Sequence, residues 1–526
     1  MKASEATVTI QCETAPRRGM VVRGILFNWG SLLVGGLVAF VLTPLMIRGL
    51  GQYYYGMWVL IMSLSDQYGL LDLGMTPALS RFAGYFNGSK DRSGLNEMFS
   101  VAFLLTLLIS VLICGLTAAL APFLPSFFRI PASDRVTFIR LILLLGLTTA
   151  VAFPERMLAA YLRGIQRFDL FNAAATSITL IRALFIGVAL RLGFGVLVIA
   201  VITLAMSVVS FAVHYAMIRW ADPELRIHYR NASSARLREL FGFSIYAFVA
   251  SLGTRLITRI DSIVIGRILS VGLIAPFNVA SRLTDYFVGV FGGVHGPVLS
   301  AMSELDGASK GEELRALFMR SSRYTFLLSL LMGSVLLLHG RALLKLWLGS
   351  SGLDLDLTYQ VLVILTFCYM ASMAQLPSWS VIYARARHQL LAWLVLCEGI
   401  VNLGLSIYWG HRYGLVGIAL GTTVPALIHH LLIIPFYALR VIEMPVKTYL
   451  TGLWRPIAAG AIFTALCRVY LVRPNSPGAL TLALVCQVLS FGIITYVVAL
   501  TRDEKRLFWM RGRGLSLIGG RRNIAD

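Results

Sequence analysis

The sequence predicts an all-α polytopic membrane protein of about fourteen transmembrane helices, on three observations. Hydrophobic residues make up 57% of the chain and charged residues 13%, with a mean hydropathy of +0.77, too apolar for a soluble protein of 526 residues. Apolar runs of about 20 to 28 residues follow one another from Val22 to the end, the length of a spanning helix and not of a barrel strand. Basic residues concentrate in alternate connections. We number the spans 1 to 14, beginning near residues 22, 54, 97, 136, 168, 195, 241, 272, 318, 357, 389, 413, 453 and 478.

Residues 1–21 read as a cytoplasmic tail, because Glu5, Glu13 and several threonines leave no apolar core for a cleavable leader. Residues 22–220 hold a first six-helix bundle, 221–240 a basic cytoplasmic linker, and 241–440 a second six-helix bundle. Residues 441–500 add two helices, and 501–526 form a basic tail suited to anionic headgroups. Counting Lys and Arg outside the spans gives 31 on the side of the amino-terminus and 10 on the other, which places both termini in the cytoplasm. The net charge of +21 therefore records orientation, and no nucleic-acid partner is expected. The six cysteines show no CxxC spacing, so neither a disulfide framework nor a zinc site is suggested.

The two bundles read as a duplication. "LSDQYGLLDLGMTPALS" (64–80, span 2) aligns with "LTDYFVGVFGGVHGPVLS" (283–300, span 8), pairing Asp66 with Asp285 and Pro77 with Pro297. Six spans on from span 4, Pro154, Tyr161 and Arg163 find counterparts in Pro377, Tyr383 and Arg385. An even offset means that both copies cross in the same direction, as parallel halves about an axis along the membrane normal. The linker "RWADPELRIHYRNASSARLREL" reads either as a hinge or as an amphipathic helix.

The stretches "TPLMIRGLGQYYYGMW", "LLDLGMTPALSR" and "YLRGIQRFDLFN" resemble the Wzx-type oligosaccharide flippases of the multidrug/oligosaccharidyl-lipid/polysaccharide (MOP) exporter superfamily. That resemblance implies two six-helix bundles around a central cavity, open alternately to cytoplasm and periplasm, that move an undecaprenyl-diphosphate-linked oligosaccharide outward across the bacterial inner membrane. It implies no enzyme and no cofactor. The implied product is an O-antigen or exopolysaccharide, and the implied associates are membrane lipids, a polysaccharide polymerase, and a proton or sodium ion as coupling ion. Cavity residues diverge in this family, so none is carried over by position.

Depth and chemistry supply the candidates instead. At about 1.5 Å per residue, Arg255 lies about 21 Å into span 7 with Arg259 one turn further, Arg282 and Asp285 lie near 15 Å in span 8, and Asp66 near 18 Å in span 2. Charges at such depth are costly facing lipid and should face a wet interior. Arg255, Arg259 and Arg282 are the predicted substrate-binding set, since the guanidinium fork stays cationic and bonds a diphosphate with two hydrogen bonds. Asp66 and Asp285 are the predicted ion-coupling or reset pair. The plainer alternative is that Arg282 neutralises Asp285, and Arg259 the nearby Asp261.

Other polar residues read as structural. Asp72 should order the following "LGMTP" break, and Glu155 with Arg156 sits near an interface. Glu398 lacks a matched partner, while His429 and His430, about 100° apart on a helix, should not share a metal, so no metal site is expected. Gly35, Gly36, Gly292 and Gly293 suggest close helix packing.

Two rival functions are weaker. A multidrug-and-toxin exporter generally carries an acidic residue in span 1, which "ILFNWGSLLVGGLVAFVLTPLMI" lacks, and three arginines would repel cationic drugs. A polysaccharide polymerase or ligase would place acid-base groups in a substantial outward loop, and these loops are short. No GxxxxGK[ST] loop is present for ATP.

Overall fold

The computed structural model describes residues 18–226, 245–349, 351–469, 476–501 and 504–505. The amino-terminal tail before Arg18, most of the basic linker and the tail from residue 506 lie outside them. Among the described residues every regular element is helical. The chain divides between Phe248 and Val249 into two compact units.

In the first unit, helix Arg18–Gln67 carries span 1 and the start of span 2, bending at Gly51 (φ 79°, ψ 163°) where a side chain would be strained. A 3₁₀ turn, Tyr68–Asp72, precedes helix Met75–Gly88 and completes span 2. Spans 3 to 6 are the helices Arg92–Leu120, Arg135–Gly164, Phe168–Arg191 and Val196–Ala221. The core is built where spans 2, 3 and 4 meet, from Met75, Leu79, Phe99, Phe153, Met157 and Tyr161. Spans 2 and 4 come close enough there that a Cβ on Gly164 would lie 2.6 Å from the Ser80 carbonyl oxygen and 2.6 Å from the Ala83 methyl. By contrast Leu108, Val111 and Leu112 of span 3 are exposed, as a lipid-facing surface requires.

The second unit begins within span 7, which is broken into Ile245–Thr258 and Asp261–Ile268. Span 8 is the continuous helix Ile274–Gly307 and span 9 is Gly311–Leu348. Span 10 is interrupted at Gln375, between Leu355–Ala374 and Leu376–Ala384. Helix His388–Ile428 holds spans 11 and 12, folded at Gly414 (φ 63°, ψ −139°), and span 12 continues through a π-helical turn, His429–Ile433, into Ile434–Val441. Spans 13 and 14 are Val446–Val469 and Pro477–Ile494.

Nine helical stretches among the described residues are long and apolar enough to cross a membrane, and two of them, Gly30–Asp72 and Gln389–Val441, each hold two spans. Spans 7, 8 and 13 fall outside that set. Span 7 is split by its break, and spans 7 and 8 carry Arg255, Arg259 and Arg282.

The two stretches that align in the sequence differ locally in structure. In span 2 the helix stops at Leu73 (φ 47°) and Gly74 (φ 80°), and Asp72 restarts it by accepting from the Thr76 hydroxyl (2.6 Å) and the Thr76 N–H (3.3 Å). At the equivalent place span 8 has Phe291, which caps nothing and is buried, and the helix runs on. Asp72 orders the break, as its sequence context predicts.

Candidate substrate and coupling site

The predicted residues of the second unit gather around the break in span 7. Helix Ile245–Thr258 packs against span 11 backbone to backbone: a Cβ on Gly253 would lie 2.7 Å from the Leu396 nitrogen, and one on Gly399 would lie 2.9 Å from the Gly253 oxygen. Arg255 follows, half-buried, and the Arg259 N–H donates to the Arg255 carbonyl (2.9 Å), keeping the two arginines one turn apart. Arg259 is exposed, as is Asp285 of span 8. Asp285 lies within electrostatic reach of both Arg282 and Arg259, and Tyr369 of span 10 within reach of Asp285 and Arg259.

Three of the five predicted residues, Arg259, Arg282 and Asp285, therefore share one electrostatic neighbourhood. Arg255 joins them through the helix. Asp66, half-buried, belongs to the first unit.

The alternative pairing of Arg259 with Asp261 meets a competing partner. Asp261 is buried, and the Thr422 hydroxyl donates toward both its oxygens at 3.3 Å. Thr422 also reaches the Ile418 carbonyl (3.3 Å), which takes a bond from Ser406 (3.3 Å), itself bonded to Asn402. This hydrogen-bonded set joins spans 7, 11 and 12.

Residues 54–355, more than half of the chain, match the sequence profile of a family described as polysaccharide biosynthesis protein. The chain belongs to that polysaccharide biosynthesis family. No curated protein matches the sequence. Among solved structures, the lipid II flippase MurJ in an inward closed conformation is similar at 14% identity, with 90% of this chain and 98% of that chain covered and a TM-score of 0.69. An inward-facing multidrug resistance MATE transporter of the MOP superfamily is similar at 16% identity, covering 80% and 95%, with a TM-score of 0.62. A eukaryotic MATE transporter is similar at 14% identity, covering 81% and 99%, with a TM-score of 0.60. At these identities the likeness is one of fold.

This member of the polysaccharide biosynthesis family also holds polar clusters that the sequence argument passed over. In the first unit Glu155 accepts from Ser210 and lies 3.4 Å from His214 Nδ1, both in span 6, with Arg182 of span 5 within electrostatic reach. At the end of span 6 buried Asp222 accepts from Tyr161 and from Arg92 (2.6 Å). In the second unit Glu398 bonds His429, and His430 Nε2 lies 4.0 Å from its other oxygen. The expectation that adjacent histidines diverge fails here, because the π-helical turn alters the α-helical spacing and one carboxylate from the neighbouring span reaches both rings. The signal was present: a Glu and two His inside apolar spans are each costly and need partners.

Proposed function

We propose that this protein is a flippase that moves a polyprenyl-diphosphate-linked oligosaccharide from the cytoplasmic to the periplasmic leaflet by alternating access. The reading is supported by the shared electrostatic neighbourhood of Arg259, Arg282 and Asp285, in a chain of the polysaccharide biosynthesis family whose fold is similar to that of a lipid II flippase. An anion leaving water needs fixed cations, and guanidinium groups beside a wet interior supply them without losing their protons. In this reading Arg255, Arg259 and Arg282 hold the diphosphate, and no bond is made or broken, so the protein is not an enzyme. The glycan is an O-antigen or exopolysaccharide unit on undecaprenyl diphosphate, delivered to a periplasmic polymerase. The protein sits in the inner membrane with both termini in the cytoplasm.

Asp285 and its repeat partner Asp66 reset the empty transporter: with the substrate gone, carboxylates pair with the freed arginines, and with it bound they are displaced or protonated, which couples transport to a proton or sodium gradient. A MATE-type cation exporter shares the fold, but arginines at mid-depth disfavour its cationic substrates.

The test is transport of fluorescent lipid-linked oligosaccharide in proteoliposomes under imposed pH or sodium gradients. Arg255→Ala should abolish transport at normal protein level, and Arg255→Lys should restore only part of it because the two-pronged bond is lost. Full activity of Arg255→Ala removes that residue from the site. Asp66→Asn and Asp285→Asn should flatten the gradient dependence, and an unchanged dependence makes both carboxylates structural.

A further inference from the structure

Glu398, His429 and His430 form a cluster that the flippase reading does not use. Glu398 stands about 15 Å along span 11 from its cytoplasmic end, and the histidines stand at a comparable depth in span 12. All three side chains are more than nine-tenths buried, with relative exposures of 7%, 1% and 7%. One ligand atom from each, a Glu398 oxygen and a ring nitrogen from each histidine, lies within 4.8 Å of the others. The rings are 5.0 Å apart, centroid to centroid, with Trp379 against both.

From this geometry we propose that Glu398, His429 and His430 form a binding site for a divalent transition-metal ion, with Zn²⁺ as the best-fitting class. The donor set is two imidazoles and one carboxylate, which is borderline-soft and typical of zinc with a remaining position for another ligand. Bonds of about 2.0–2.2 Å place tetrahedral ligand atoms about 3.4 Å apart. The 4.0 Å between His430 Nε2 and Glu398 Oε1 would need to close by about 0.6 Å to reach that spacing, while the His429–Glu398 contact would open to admit the ion. The proton shared in that contact would leave on binding.

The nitrogens that face Glu398, and that the ion would take, are His429 Nδ1 and His430 Nε2. The ion would join spans 11 and 12 below their fold at Gly414. This inference is independent of what the protein transports.

The experiment uses full-length, tag-free protein in detergent micelles, stripped with chelator and titrated with Co²⁺ while its visible d–d absorption is followed, then with Zn²⁺ in competition. One Co²⁺ per chain is expected, with tetrahedral absorption that Zn²⁺ abolishes. Affinity should be at least about tenfold weaker in His430→Gln and in Glu398→Gln. Zn²⁺ should also raise the thermal unfolding midpoint of the wild type, a readout that stands if either variant fails to fold. No uptake and no stabilisation of the folded wild type would mean that the cluster shares protons only. Uptake undiminished in both variants would mean an adventitious surface ion. Either result overturns the proposal.

Discussion

Replacing Gly253 by alanine tests the crossing that places Arg255. The added methyl carbon would lie 2.7 Å from the Leu396 nitrogen and 2.7 Å from the Val395 carbonyl carbon, against about 3.4 Å for ordinary contact. Both atoms are backbone, so no side chain can swing away, and the two helices must separate by about 0.7 Å. Overpacking of this kind costs about 1–3 kcal/mol, offset by about 1 kcal/mol of helix propensity gained on leaving glycine. Gly115 in span 3 supplies the control, because its Cβ would meet nothing within 4 Å and alanine there collects the propensity term alone. Gly253→Ala should therefore be less stable than Gly115→Ala by about 1–3 kcal/mol, measured by unfolding in detergent micelles. Export should also fall at normal protein level, because Arg255 moves with the helix. If the two variants unfold alike, the close approach of spans 7 and 11 is not required and the reasoning fails.

Two further outcomes follow from particular contacts. Asp72→Ala removes the side chain that restarts span 2 at Thr76 and should cost about 0.5–2 kcal/mol of stability in the same unfolding assay, with Asp72→Asn milder. Glu504, beyond span 14, is half-buried, which alone would raise its pKa, but hydrogen bonds from the Thr501 N–H and hydroxyl and the charge of Arg323 at 2.8 Å outweigh that and hold it below the ordinary glutamate value. Its contribution is therefore complete above the unfolded glutamate pKa of about 4.3 and is lost as pH falls through the lower folded value. Glu504→Gln should lower stability at pH 7 and weaken the acid dependence below about pH 4.3, measured as unfolding midpoint against pH.

The fold was legible because its signals are collective: span length, the basic-residue alternation and the spacing of the repeats each sum over many residues. The packing was not. Gly35 and Gly292, singled out for close packing, have open space where a side chain would stand, whereas Gly253, Gly399, Gly164 and Gly421 make the tight crossings. A glycine in an apolar run looks the same in sequence whether it faces another backbone or lipid. The arginines of spans 7 and 8 are singled out by depth alone, since a guanidinium in an apolar span has few explanations. The His429 and His430 cluster was missed because an ideal helix was assumed where the chain forms a π-helical turn, a local change that those five residues do not advertise.

An intramembrane carboxylate proves less informative than its partner. Asp72 is used by Thr76, Asp261 by Thr422, Glu155 by Ser210 and His214, and Glu398 by His429. In each case a hydrogen bond to another element or the next turn accounts for a group that would be costly in hydrocarbon. Asp285 differs, being exposed and within electrostatic reach of two arginines. A carboxylate locked to a hydroxyl in the core cannot change partners without breaking the fold, but one that neutralises exposed arginines can be displaced by any stronger anion. A diphosphate is such an anion, with more charge and more acceptor oxygens than a single carboxylate. Depth in the membrane alone would rank Asp66, Asp261 and Asp285 together. Exposure within reach of two arginines sets Asp285 apart from Asp261, which is buried against Thr422.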